Sequence, residues 1–210
     1  MRLPRRLTKT SRSRPKRPVA VAITGGIGAG KSEALEAFRR HGAAVISSDE
    51  IVHRLLREDE GVKSAVVERL GERVLGPDGE IDRERVGELV FADPVELDWL
   101  ERLLHPRVSA EYLRWRDELR RQPDPPALCA TEVPLLFEVG AEKSFDAVVV
   151  VTASTEVRVA RHVRPMGDRE RRLLSDEEKA ARADFVYVND GSLEELDAFV
   201  SGVTAKLSAS

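Results

Sequence analysis

The chain has 210 residues, 41% of them apolar and 34% charged, a composition that suits one globular core and excludes a fibrous or membrane-embedded protein. Its net charge of −3 conceals an asymmetry, because residues 1–18 carry eight basic groups and no acidic one. The remaining residues hold 26 basic and 37 acidic groups, a net charge of −11, which gives no indication of a nucleic-acid partner.

The first 18 residues form an Arg-rich tail that predicts a disordered extension. Pro4, Pro15 and Pro18 oppose a stable amphipathic helix there, and the tail lacks the apolar stretch of a secretory signal. No apolar run in the chain approaches the ~20 residues that cross a bilayer, so we expect no membrane partner. The single cysteine, Cys129, excludes an internal disulfide and indicates a reducing compartment, for which we expect the cytoplasm.

Beyond the tail, short apolar runs alternate with helical patterns. Residues 19–24 (VAVAIT) end at glycines and predict a buried parallel strand, and residues 32–40 predict the helix that follows it. Further strands are predicted at 43–46, 127–133, 146–152 and 185–188. Further helices are predicted at 49–57, 62–70, 84–91, 95–104, 106–121 and 155–163, and capping boxes open two more at Ser175 and Ser192.

This alternation predicts an α/β fold, in which helices cover both faces of a parallel sheet. Residues 19–60 and 123–210 are expected to build the core. The run of helices at about 61–122 interrupts the alternation, so we expect it to form a helical subdomain inserted into that core.

Residues 25–32 (GGIGAGKS) match the phosphate-binding loop pattern G-x-x-x-x-G-K-[ST] between the first strand and its helix. Such a loop turns its backbone N–H groups and the helix N-terminus toward phosphate, while the lysine binds the β- and γ-phosphates and the serine ligates Mg²⁺. The motif predicts a P-loop fold that binds a nucleoside triphosphate together with Mg²⁺. The residues predicted to bind the nucleotide are Gly26, Ile27, Gly28, Ala29, Gly30, Lys31, Ser32 and Glu33.

The loop alone does not separate kinases, GTPases and ATPases. A GTPase normally reads its base with N-K-x-D, and the candidate here, Asn189-Asp190, lacks the lysine. A helicase or motor is normally longer. A small chain with a helical insertion and a late Arg-rich segment therefore favours a kinase of a small metabolite.

A further series of motifs follows the phosphate loop: VISSDEIVH at 45–53, DGEIDR at 78–83, VF at 90–91, LHP at 104–106, VPLLFE at 133–138 and ADFVYVN at 183–189. In this order and spacing the series resembles one family, the dephospho-coenzyme A kinases, across residues 19–207. The resemblance implies transfer of the γ-phosphoryl group of ATP to the ribose 3′-hydroxyl of dephospho-CoA, the last step of coenzyme A synthesis, with ATP and Mg²⁺ as cofactors. It also implies a helical CoA-binding domain and a lid, at about 158–178 here. We expect a monomer or small homo-oligomer.

The resemblance places the catalytic aspartate of the family at Asp49, just beyond the second strand, where it would accept the proton of the substrate hydroxyl. The alternative is that Asp49 caps the helix, a role that aspartate also serves well, and we favour the catalytic role. His53, one turn later, would contact the substrate or simply pack on the surface.

The helical insertion and the third strand supply the other candidates. His105 would lie near the substrate, although Pro106 equally suits a helix break beside a hydrogen-bonded histidine. Pro134 and Leu135 match the family's substrate-contacting loop. Glu132, at the end of the third strand, would hold Mg²⁺ through water beside the Ser32 hydroxyl, whereas Glu138 equally suits structural capping.

The lid candidate is rich in arginine, and Arg161 and Arg164 best match the family's lid arginines. One guanidinium group can donate two parallel hydrogen bonds to phosphate oxygens, and its positive charge stabilises negative charge on the transferring group. A solvated, salt-bridged helix is the alternative for some of the six arginines, which are Arg158, Arg161, Arg164, Arg169, Arg171 and Arg172.

At the end of the last strand, Asn189 matches the residue that the family places beside adenine.

Four features depart from the family pattern. The lid is short, Ser47 replaces a second aspartate, Leu173 replaces a glutamine, and Glu33 brings negative charge near the triphosphate. Two alternatives to a dephospho-CoA kinase therefore remain at this stage. One is another small-metabolite or nucleotide kinase, and the other is a non-catalytic nucleotide- or CoA-binding regulator.

Overall fold

The structure is a computed structural model that describes residues 17–161 and 174–209. Most of the basic tail lies outside these residues. So does the middle of the expected lid, with Arg164, Arg169, Arg171, Arg172 and Leu173.

Five parallel strands form one sheet in the order β2-β3-β1-β4-β5. Because all the strands run the same way, their carboxyl ends meet at one edge, where ligands bind in open α/β sheets. The register places Glu132 beside both Ser47 and Ile23 at that edge. The strands are β1 (Val19–Gly25), β2 (Ala44–Ser47), β3 (Leu128–Glu132), β4 (Ala147–Thr152) and β5 (Phe185–Val188).

Eight helices lie among the described residues, and none of those eight is long and apolar enough to span a membrane. The capping boxes predicted at Ser175 and Ser192 are confirmed. The helices are α1 (Lys31–Arg40), α2 (Ser48–Glu58), α3 (Glu60–Leu70), α4 (Arg83–Ala92), α5 (Pro94–Arg121), α6 (Thr155–Arg161), α7 (Asp176–Ala180) and α8 (Leu193–Ser208).

Both faces of the sheet are buried along β1 and β4, which explains why these two strands are continuously apolar rather than alternating. Val21 and Ile23 face one side, where they pack with Phe38 of α1 and Val200 of α8. Ala22 faces the other side and belongs to a cluster completed by the connection after β3 and by β4. The predicted α/β fold with a parallel sheet is confirmed.

Helices α2 to α5 share a second apolar cluster beside the sheet. Ile51 and Leu55 of α2 pack there with Val66 of α3, Val86 of α4 and Leu104 of α5, all nearly or fully buried. The helices therefore have a core of their own, adjacent to the carboxyl edge of the sheet through α2.

The predicted helix break at Pro106 is wrong, because α5 is one continuous helix of 28 residues. Pro106 is exposed, so its ring points away from the cluster, whereas Leu104 and Tyr112 on either side of it are buried. Asp93 caps the helix by accepting the N–H of Val95, and Pro94 occupies the first turn, where a missing N–H does no harm. Burial of the flanking residues outweighs the local cost of proline.

The substitution Pro106→Ala is therefore expected to stabilise the protein by about 1 kcal/mol or more, part of the ~3 kcal/mol that proline costs inside a helix. The alanine N–H can donate to the carbonyl of Arg102, which proline leaves without a helical donor. Urea unfolding followed by circular dichroism measures the change. An unchanged or lower free energy of unfolding would show that α5 is built around the proline.

Candidate active site

The loop between β1 and α1 forms the floor of the site. Gly30 has a φ of 94°, in the left-handed region, and a Cβ atom built on it would lie 2.2 Å from Nδ2 of Asn189. That amide is buried and donates to the carbonyl of Ala29 over 2.8 Å. The sequence separates these partners by 160 residues, so Asn189 locks the loop to the end of β5 and only glycine fits at position 30.

Lys31 folds back over the loop. Its ammonium donates to the carbonyl of Gly26 over 2.9 Å, which places the charge within the turn of the motif. Burial lowers the pKa of Lys31, whereas the nearby carboxylates of Glu132 and Asp49 raise it. A buried cation with acidic neighbours is ready to pair with an anionic ligand.

Glu132, the last residue of β3, lies at the centre of the carboxyl edge and is 6% exposed. Its Oε2 accepts a hydrogen bond from Ser32 Oγ over 3.0 Å, and its backbone carbonyl accepts from Ser48 Oγ over 2.7 Å. Burial raises the pKa of Glu132, while Lys31 and Ser32 lower it. The end of β3 is thus joined to α1 and α2 by two serine hydroxyls.

Asp49 lies in the first turn of α2 but does not cap it, so the N-cap alternative for this residue is wrong. Ser47 is the cap, accepting the N–H of Asp49 over 3.1 Å, and Glu50 completes the capping box. The carboxylate of Asp49 is left exposed at the sheet edge, close enough to raise the pKa of both Lys31 and Glu132. Ser47 departs from the family pattern, and its hydroxyl caps the start of α2.

Two arginines of α6 lie against opposite ends of the loop. Arg161 donates to the carbonyl of Asn189 over 3.0 Å. Arg158 lies over Gly26, with Nη1 only 2.6 Å from the position that a Cβ atom there would take. Its guanidinium is 3.6 Å from a carboxylate oxygen of Asp176 at the start of α7.

The connection after β3 carries the Pro-Leu-Leu-Phe-Glu motif. The carbonyl of Pro134 accepts from Thr24 Oγ1 over 3.3 Å, which ties the connection to β1. Glu138 accepts the N–H of Leu174 over 3.0 Å and lies 3.1 Å from the ammonium of Lys179. Lys179 is completely buried. The connection is therefore anchored to both the core and α7.

The remaining candidates flank this centre. His53 is on the exposed face of α2, one turn after Asp49, and His105 is half-buried on α5. Arg54 of α2 donates to Glu111 of α5 over 2.5 Å, which holds the two helices together. Glu33 is exposed in the first turn of α1.

Sequence reasoning missed Ser48, Asp176 and Lys179. Ser48 lies two residues after the predicted strand at 43–46, which was a usable signal for a residue at the sheet edge. Asp176 and Lys179 sit in a capping sequence, SDEEK, that predicts only a helix start. Their contacts with Arg158 and Glu138 depend on the tertiary fold.

Residues 19–195 match the family model described as Dephospho-CoA kinase. The chain belongs to the dephospho-CoA kinase family. A dephospho-CoA kinase of Streptomyces avermitilis is 41% identical over 194 residues, which cover 89% of this chain and 93% of the relative. A relative from Symbiobacterium thermophilum with the same name is 39% identical over 181 residues, 83% of this chain and 75% of the relative.

Two solved structures resemble this chain in fold. A protein from Thermus thermophilus has a TM-score of 0.71 and 36% identity, covering 91% of this chain and 99% of its own. Dephospho-CoA kinase from Campylobacter jejuni has a TM-score of 0.65 and 25% identity, covering 93% and 100%. The resemblance seen in the sequence is confirmed, as are the kinase class and the use of ATP that membership of this family implies.

Proposed function

We propose that the chain transfers the γ-phosphoryl group of ATP to the ribose 3′-hydroxyl of dephospho-CoA, giving CoA and ADP. The family match carries this proposal, because it spans the phosphate loop, Asp49 and the connection after β3 together. The geometry supports it, since Lys31, Glu132 and Asp49 meet at one edge of the sheet.

The nucleotide is assigned to the loop and its neighbours. The backbone N–H groups of residues 26–32 and the start of α1 would surround the phosphates, and Lys31 would exchange its bond to Gly26 for the β- and γ-phosphates. Arg161 would stabilise negative charge on the transferring group, a role that the family resemblance extends to Arg164. Asn189, which locks the loop, would lie beside the adenine.

Asp49 is proposed as the catalytic base. Its carboxylate is exposed on the side of the sheet edge where Lys31 lies, so an acceptor hydroxyl bound there would meet both the carboxylate and the phosphate. The carboxylate would orient the 3′-hydroxyl and accept its proton as the oxygen attacks phosphorus.

The helical cluster of α2 to α5 is proposed as the CoA-binding part of the chain. His53 and His105 would contact the substrate from α2 and α5, whose mutual position the Arg54–Glu111 pair maintains. Pro134 and Leu135 would contact it from the connection after β3, which Thr24 fixes.

Mg²⁺ fits the donor set present at Glu132. Ser32 supplies a hydroxyl and Glu132 a carboxylate, both hard oxygen donors of the kind that Mg²⁺ prefers. No group of three or more His, Cys, Asp or Glu side chains able to hold a metal exists among the described residues. Ser32 and Glu132 would therefore hold the ion together with water and ATP phosphates, and it would neutralise phosphate charge.

The substitution Glu132→Gln is expected to raise the Mg²⁺ concentration for half-maximal velocity by ~10-fold or more, the usual cost of losing an outer ligand.

The same substitution is also expected to stabilise the nucleotide-free protein near pH 7. Burial raises the folded-state pKa of Glu132 above the ordinary glutamate value of 4.5, so ionisation there costs stability. The gain should vanish below about pH 4.5, where the carboxyl is protonated in both states. Urea unfolding at several pH values tests this, and a gain that persists at low pH would contradict it.

The compartment and the oligomeric state of the protein are also proposed. We place the reaction in the cytoplasm, since Cys129 is a free thiol. Burial raises the pKa of that thiol to about 11, so it is not a reactive nucleophile. The assembly proposed is a monomer or small homo-oligomer, which light scattering after size exclusion would establish.

A substrate panel tests the proposed function. ADP release is measured with Mg²⁺-ATP and either dephospho-CoA, a nucleoside monophosphate or a small alcohol such as shikimate. The proposal expects dephospho-CoA to give the largest kcat/KM. A larger kcat/KM with any other acceptor would refute the substrate, while leaving the kinase assignment standing.

A further inference from the structure

Two cations meet at one peptide of the phosphate loop. Lys31 Nζ donates to the carbonyl of Gly26, while the guanidinium of Arg158 lies against the α-carbon of the same residue. Two cations beside the same residue make the potential at the loop positive, which favours an anion there because water is partly excluded. The side chain of Arg158 is only 17% exposed.

Asp176 compensates this pair of cations. A Cβ atom built on Gly26 would lie 3.1 Å from its Oδ1, and its Oδ2 is 3.6 Å from Arg158 Nη1. The charge of Asp176 also reaches Lys31, whose pKa it raises. The distance to Arg158 exceeds that of a good hydrogen bond, so the contact is electrostatic and can be replaced.

A nucleotide would bring competing anions to the same place. The loop that contains Gly26 and Lys31 is where the phosphates are proposed to bind, and phosphate oxygens are better partners for a guanidinium than a single distant carboxylate. With phosphate present, Asp176 would repel the ligand instead of compensating the cations.

We propose that Arg158 is a phosphate-binding residue held by Asp176 in the nucleotide-free enzyme, and that ATP displaces this carboxylate from Arg158. Asp176 thus keeps Arg158 over Gly26 and competes with the phosphates of ATP for this arginine. The inference rests on the proposed function only in requiring that ATP binds at the loop.

Calorimetric titration of the full chain with Mg²⁺-ATP tests the exchange. Arg158→Gln is expected to weaken ATP binding by ~10-fold or more, the value of a charge-assisted hydrogen bond. Asp176→Asn is expected to tighten it by about fivefold, through loss of a competing charge near the phosphates. Glu177→Gln removes the same charge from the neighbouring, exposed position of α7 and is expected to leave the Kd nearly unchanged.

The double variant Arg158→Gln/Asp176→Asn distinguishes displacement of Asp176 from Arg158 by ATP from simple repulsion between Asp176 and the phosphates. If ATP displaces Asp176 from Arg158, the gain in ATP affinity from Asp176→Asn should shrink in the Arg158→Gln background, because no arginine remains to be released. A gain retained in full, an unaltered Kd in either single variant, or weaker binding in Asp176→Asn would overturn the inference. If the unaltered chain fails to bind ATP, the proposed function falls with it, whereas normal binding and turnover with an unresponsive Asp176 would refute the exchange alone.

Discussion

Replacing Asp49 by asparagine is expected to lower kcat by ~10²–10⁴-fold, the usual contribution of a positioned general base. Asparagine keeps the size of the side chain but cannot accept the proton of the 3′-hydroxyl. Because Ser47 rather than Asp49 caps α2, the helix should remain intact. Affinity for ATP should be unchanged or slightly higher, since a negative charge near Lys31 is removed.

Steady-state kinetics with dephospho-CoA, together with calorimetric titration of ATP, measure these two quantities. Glu58→Gln, at the far end of α2, removes one negative charge from the same helix and should leave kcat unchanged. Full activity in Asp49→Asn would remove Asp49 from the chemistry. Loss of ATP binding together with activity would instead assign it to the nucleotide site.

Replacing Lys179 by methionine is expected to destabilise the fold by about 3–5 kcal/mol, because it leaves the carboxylate of Glu138 without its cation. The lysine side chain is fully buried and that of Glu138 is only 14% exposed. The melting temperature should fall by roughly 2–4 °C for each kcal/mol in a protein of this size. Lys143→Met, at an exposed site, should stay within about 0.5 kcal/mol of the unaltered chain.

The double variant Lys179→Met/Glu138→Gln shows whether the ion pair causes that loss. Removing both charges should recover part of the stability, since no buried charge is left unpaired. Urea unfolding gives the free energies for the cycle. Losses that simply add would mean that lysine packing, rather than its pairing with Glu138, matters here.

Much of the architecture followed from local sequence signals. All five strands and the helices that begin after Ser175 and Ser192 were predicted, because apolar runs and capping serines act within a few residues. Pro106 shows where local rules fail, since burial of Leu104 and Tyr112 holds α5 together across a residue that normally ends a helix. The proximity of Ser32 and Glu132 was expected from the family resemblance. The contacts of Arg158 and Lys179 depend on how α6 and α7 pack, so they could not be predicted from the sequence.

The reaction product shows whether the chain phosphorylates dephospho-CoA. Incubation of the chain with Mg²⁺-ATP and dephospho-CoA, followed by tandem mass spectrometry, should show conversion of dephospho-CoA to CoA. The new phosphoryl group should be on the ribose 3′-oxygen, with one ADP formed for each CoA. Tight ATP binding without any phosphorylated dephospho-CoA would contradict the account and indicate a nucleotide-binding regulator instead.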